Sequence, residues 1–111
     1  MLRVPTDLRV KALIRRCSAA GVAAVVARHG DADAGMLFVK VRLLDGTAKL
    51  FGPAPAGDAA LDGLAKLAPH LAPEGAAETY VDGYMARQIS FDPDLWLVEI
   101  DDRQGRNFTD E

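Results

Sequence analysis

The chain has 111 residues, 50% of them hydrophobic and 26% charged, which suits one globular domain over residues 1–111 and excludes a disordered composition. Its single cysteine, Cys17, cannot form an internal disulfide, and no apolar run approaches the roughly 20 residues of a membrane span; a cytoplasmic setting without membrane contact is expected. The net charge of −3 is unevenly spread, with six Lys/Arg against one acid in residues 1–30 and twelve acids against four bases in residues 51–111. The two halves either neutralise each other on folding or leave the basic half to an anionic partner.

The first element reads as a helix from Thr6 to about Ala20. Thr6 is placed to cap it, Asp7 suits the positive end of its dipole, and Gly21 is placed to stop it. Val10, Leu13, Ile14, Cys17 and Ala20 recur at helical spacing, which makes Cys17 a packing residue and leaves Lys11 and Arg15 on the opposite side. Val22 to Arg28 reads as a strand. After a loop over residues 31–35, Met36 to Leu44 is a second strand, Asp45-Gly46 a two-residue hairpin turn, and Thr47 to Gly52 the returning strand, ended by Pro53 and Pro55.

Residues 56–77 are ambiguous. Leu61, Leu64, Leu67 and Leu71 suggest a helix, but Gly63 and Pro69 interrupt it, so a short strand or an irregular loop is the alternative. A second helix runs from about Glu78 to Ser90, with Val81, Tyr84, Met85, Gln88 and Ile89 on one side. Residues 91–94 break it, and Leu95 to Asp101 alternates as a strand with Trp96, Val98 and Ile100 on one face. Residues 102–111 are polar and expected to fray. The order α-β-β-β-(uncertain)-α-β predicts an α+β fold: a two-layer sandwich of a mainly antiparallel sheet of about four strands, with both helices on one face.

A two-residue turn would set Arg42 opposite Lys49 and Lys40 opposite Phe51. Phe38, Lys40, Arg42, Lys49 and Phe51 then share one sheet face, and Leu37, Val39, Val41, Leu43, Ala48 and Leu50 share the core face. Cations interleaved with aromatics make the first face a candidate contact surface. It would serve a protein partner or a second copy of the chain, or, as the alternative, single-stranded nucleic acid. The competing structural account is that Glu99 and Asp101, side by side on the last strand, neutralise Lys40, Arg42 or Lys49. A further alternative is a metal-dependent enzyme built on Asp92, Asp94, Asp101 and Asp102. The loop of residues 31–35 lacks the glycine and terminal glutamate of a calcium loop and reads as a turn. His29 and His70 have no Ser or Cys near them, and phosphate-loop, dinucleotide and zinc spacings are absent. No catalytic residue, metal or cofactor is assigned.

Several segments together resemble a known family. They are Thr6-Asp7-Leu8 with residues 10–16, the loop of residues 31–35, Lys40-Val41, Leu44-Asp45-Gly46 and Gly52-Pro53-Ala54-Pro55. Most distinctive are Ala86-Arg87-Gln88 running into Phe91-Asp92-Pro93-Asp94-Leu95-Trp96, and Val98-Glu99-Ile100. The family is the alphaproteobacterial domain of unknown function 1491, and the resemblance spans nearly the whole chain apart from residues 56–77. It implies a bacterial cytosolic protein of one domain and brings no activity, cofactor or catalytic residue with it. It marks Arg87, Gln88, Asp92, Asp94 and Trp96 as a hallmark turn, in which Trp96 enters the core and Arg87 pairs with Asp92 or Asp94. The expected function is a small non-catalytic binding module for a protein partner or its own copy.

Overall fold

The computed structural model describes residues 4–53 and 67–109. In chain order the elements are α1 (Thr6–Ala19), β1 (Ala24–Arg28), β2 (Leu37–Arg42), β3 (Thr47–Pro53), β4 (Leu67–Ala77), α2 (Glu78–Phe91) and β5 (Trp96–Asp101). The strands form one sheet in the order β1-β5-β2-β3-β4. Every neighbouring pair is antiparallel except β2 with β5, so the α+β class and the mainly antiparallel sheet hold. The sheet has one strand more than the expected four, because the ambiguous segment takes the strand alternative as β4 over Leu67–Ala77. Pro69 and Pro73 explain it: inside a helix each would remove a hydrogen bond and clash with the preceding turn, whereas a sheet edge tolerates them. Leu61, Gly63 and Leu64 lie outside the described residues.

Helix α1 buries Val10, Leu13 and Cys17, and burying one such aliphatic side chain contributes roughly 1.5–3 kcal/mol. Gly21, at φ 72°, ends the helix, and the Val22 N–H returns to the Cys17 carbonyl at 2.8 Å. Thr6 does not cap its own helix. Its hydroxyl donates to the Gly35 carbonyl at 2.7 Å, while the N–H groups of Thr6 and Asp7 donate to the carbonyls of Asp33 and Ala32. The loop of residues 31–35 therefore supplies the cap.

The helices lie on opposite faces of the sheet, not on one. Side chains alternate along a strand. Leu37, Val39, Val41, Trp96, Val98 and Ile100 pack against Val10, Leu13 and Cys17 of α1, whereas Phe38, Ala48, Leu50 and Leu97 pack under Val81 and Met85 of α2. A face that carries Lys40, Arg42, Glu99 and Asp101 looks solvated in sequence. Here its charges compensate one another, which allows a helix to cover it.

The segment after β5 does not fray over its described part. Asn107 and Phe108 are buried, Phe108 within the α1 core, and Arg16 Nε donates to the Phe108 carbonyl at 2.8 Å. Asp102, also buried, accepts from Arg106 Nε at 3.0 Å. Among the described residues no helix is long and apolar enough to cross a membrane.

Candidate functional site

The hairpin turn has three residues, and this moves the expected contact surface. The Leu43 N–H donates to the Thr47 carbonyl, leaving Leu44, Asp45 and Gly46 in the loop, with Leu44 and Gly46 at φ 66° and 90°. Asp45 Oδ1 accepts from both the N–H and the hydroxyl of Thr47, which holds that carboxyl below the ordinary carboxylate range. The extra residue shifts the pairing by one, to Lys40 with Leu50 and Val41 with Lys49. Phe38, Lys40 and Arg42 then face α2, whereas Lys49 and Phe51 face α1. The five residues do not share a face, and Phe38, Lys40 and Phe51 are buried. Phe38 meets the His70 ring edge-on at 5.2 Å, and Lys49 lies against Gly105.

Lys40, only 2% exposed, sits among three carboxylates: Asp82 at 2.6 Å, Glu78 at 2.7 Å and Glu99 at 3.6 Å. Arg42 bridges Glu78 at 2.9 Å and Asp101 at 3.0 Å. The expected neutralisation by Glu99 and Asp101 is thus present, because parallel β5 sets them beside Lys40 and Arg42. Glu78 and Asp82 were missed, although acids four apart at the start of a helix form one acidic stripe in the sequence. Burial alone would lower the Lys40 pKa, but the hydrogen bonds it donates to Asp82 and Glu78 and the charge of Glu99 outweigh it and raise the value. The Lys40 hydrogen bond in turn holds Glu78 below its ordinary range, against the effect of burial. This cluster is an internal clamp between α2 and the sheet.

The hallmark turn joins a second family segment. Trp96, buried, donates its indole Nε1–H to the Asp31 carbonyl at 2.7 Å. The Asp31 N–H donates to the Asp94 carbonyl at 2.8 Å, and Arg28 Nη2 donates to the Pro93 carbonyl at 2.7 Å. The Asp92 carboxylate accepts from the Asp94 N–H, and the Asp92 N–H donates to the Gln88 carbonyl, so Asp92 serves the backbone of the turn. Arg87 is exposed and makes no ion pair with Asp92 or Asp94 among the described residues; Arg28 pins the turn in its place. Asp92 and Asp94 precede β5, whereas Asp101 and Asp102 close its far end, a six-residue strand of about 20 Å. The four acids therefore do not converge, and no group of metal-ligating side chains forms among the described residues.

The open concavity lies between α1 and β1. It encloses about 480 Å³ over a floor of Val10, Ile14, Val26 and Trp96, with Asp7, Lys11, Arg15 and Ser18 along the helix side and His29 at one end. Spacings of four, four and three residues place those four helix residues on one stripe. The His29 ring is tilted against the Trp96 indole at 5.1 Å, so the hallmark turn closes this end of the groove. Lys11 and Arg15 are exposed and form no ion pair among the described residues. The sequence showed both as helix cations but not the strand edge beside them, which only the insertion of β5 between β1 and β2 creates.

Residues 4–110 match the family model described as protein of unknown function (DUF1491). The chain is similar to the crystal structure of a DUF1491 family protein from Caulobacter crescentus CB15, with 40% identity, 99% of this chain and 96% of that chain covered, and a TM-score of 0.79. An NMR structure of a DUF1491 family protein from the same organism gives 42%, 100% and 96%, with a TM-score of 0.79. The solution structure of protein Atu0922 from A. tumefaciens gives 38%, 90% and 86%, with a TM-score of 0.76. No curated protein matches the chain.

Proposed function

The chain belongs to the DUF1491 family, and on that premise, which carries no activity with it, we propose a small cytosolic binding module that takes a protein partner along the α1–β1 groove. The observation that carries this reading is the coincidence in one groove of an apolar floor with two exposed cations, Lys11 and Arg15, that have no ion-pair partner among the described residues. Elsewhere two cations of the sheet are consumed internally: Lys40 and Arg42 meet four carboxylates. A volume of about 480 Å³ also falls within the usual range of binding clefts. The buried thiol of Cys17 fits a reducing compartment.

A photo-crosslinking side chain placed at Ser18, in the groove, and separately at Ala86, exposed on α2, tests this in cells. A discrete heteromeric adduct from Ser18 alone, lost when Lys11 and Arg15 are both changed to Glu, is expected. Equal adducts from both positions, or none from Ser18, would refute a docking groove. An adduct of twice the chain mass would replace the protein partner by a second copy.

A further inference from the structure

Strand β1 is the open edge beside this groove. Among the described residues it pairs with β5 alone, and its first four residues, Ala24-Val25-Val26-Ala27, carry neither charge nor proline. Natural edges are usually guarded by charges, prolines or bulges. Here the one irregularity, between Val26 and Arg28, guards only the far end, and Val25 is 59% exposed. The bond from the Asp101 N–H to the Ala23 carbonyl fixes the alternation of the ladder. The N–H and C=O groups of Ala24 and Val26 therefore point away from β5, to the free edge.

We infer that this edge receives an acidic, extended peptide segment of the partner, which adds a sixth strand beside β1 and lies along α1. The inference rests on the groove being the docking site. Length supports it: the stripe from Asp7 to Ser18 runs about 16 Å along the helix, the span of about five extended residues. Chemistry supports it as well. Main-chain bonds to Ala24 and Val26 give affinity without regard to sequence, while alternate side chains are read by the groove. An apolar residue meets Val26 and Trp96, and acids meet Lys11 and Arg15. A second copy is the poorer occupant. Pairing β1 with its own copy about a two-fold axis brings two α1 helices to the same face, with Lys11 and Arg15 of one facing those of the other.

The probe is an acetylated, amidated heptapeptide, Thr-Glu-Thr-Val-Thr-Glu-Thr, which carries the apolar residue and both acids on one strand face; it is titrated into the whole protein and followed by Trp96 emission and amide hydrogen exchange. Saturation should slow exchange at Ala24 and Val26 by on the order of tenfold or more. Changing both Lys11 and Arg15 to Glu, at exposed positions that the fold does not use, should weaken binding by a similar factor. N-methylation of all the threonines, or of the valine and both glutamates, should abolish binding in at least one of the two cases. Strand addition is overturned if both methylated peptides bind like the parent, if the lysine counterpart binds as tightly, or if the peptide leaves Ala24 and Val26 unprotected. The last result alone would leave the docking groove standing, because crosslinking from Ser18 tests it separately. A dimer in sedimentation whose exchange protection at Ala24 and Val26 precedes any peptide would give the edge to a second copy.

Discussion

The indole N–H of Trp96 donates to the carbonyl of Asp31 across 65 positions of sequence, and this bond fastens the turn before β5 to the loop that caps α1. Two of the segments that carry the family resemblance are therefore halves of one joint. Trp96→Phe keeps most of the ring volume and leaves the Asp31 carbonyl with one partner fewer. A loss of about 1–2 kcal/mol is expected, read as a lower urea midpoint at unchanged slope.

Gly30 lies within the same joint. A Cβ there would stand 2.1 Å from the Asp94 carbonyl oxygen and 2.6 Å from the Leu95 carbonyl carbon, both backbone atoms that cannot rotate away. Gly30→Ala should cost about 3 kcal/mol. Gly21→Ala meets no atom within 4 Å and suffers only from its φ of 72°, so about 1 kcal/mol is expected. Thermal melts of the two variants should rank in that order; equal melting temperatures would contradict the joint as described.

Lys40→Met retains the stem of the side chain and removes the charge that three carboxylates share. Those acids are partly exposed and water can reach them, so the loss should be about 2 kcal/mol, below the range for a fully buried pair. The deficit should shrink in acid, where the stranded carboxylates take up protons. A constant deficit from pH 7 to pH 4 would show that they do not feel Lys40.

The pH dependence of the wild type follows from the same groups. The carboxyls of Glu78 and Asp102 are both lowered, chiefly by hydrogen bonds from Lys40 and Arg106 respectively. Their contribution is present above the unfolded carboxylate pKa of about 4 and is lost as pH falls through the lower folded values. Lys40 is raised, so its contribution is complete below about 10.4 and is lost as pH climbs through the higher folded value. Stability should be flat from above the carboxylate range to about pH 8.5, where the unfolded chain begins to ionise Cys17, a thiol that burial raises in the fold. Glu78→Gln should flatten the acid limb in denaturant titrations at successive pH values, and an unchanged limb would exclude Glu78 as a source.

Periodicity made α1, α2 and four strands readable, and it identified Val10, Leu13, Cys17, Val81 and Met85 as core. The hairpin register was read one residue out. Asp45-Gly46 is a strong two-residue turn signal, but Leu44 adopts a left-handed conformation that costs an ordinary side chain energy, so sequence gave no reason to include it. Because side chains alternate, that one position sent Lys49 and Phe51 to the opposite face. The pairing of Lys40 and Arg42 with Glu99 and Asp101 was legible from their spacing. The open edge at β1 was not, since strand order depends on the long-range entry of β5 and no local pattern encodes it.

That entry also governs the order in which the protein assembles. The last strand made, β5, occupies the second place in the sheet, between β1 and β2. While the chain is being synthesised, β2, β3, β4 and α2 can associate through near neighbours and α1 can pack on β2, but β1 has no strand to pair with until Trp96 to Asp101 exists. Closure must then proceed over long loops, which slows folding. A chain interrupted before residue 96 would lose not a margin but a central plank, and would leave the bare flanks of β1 and β2 open to other chains.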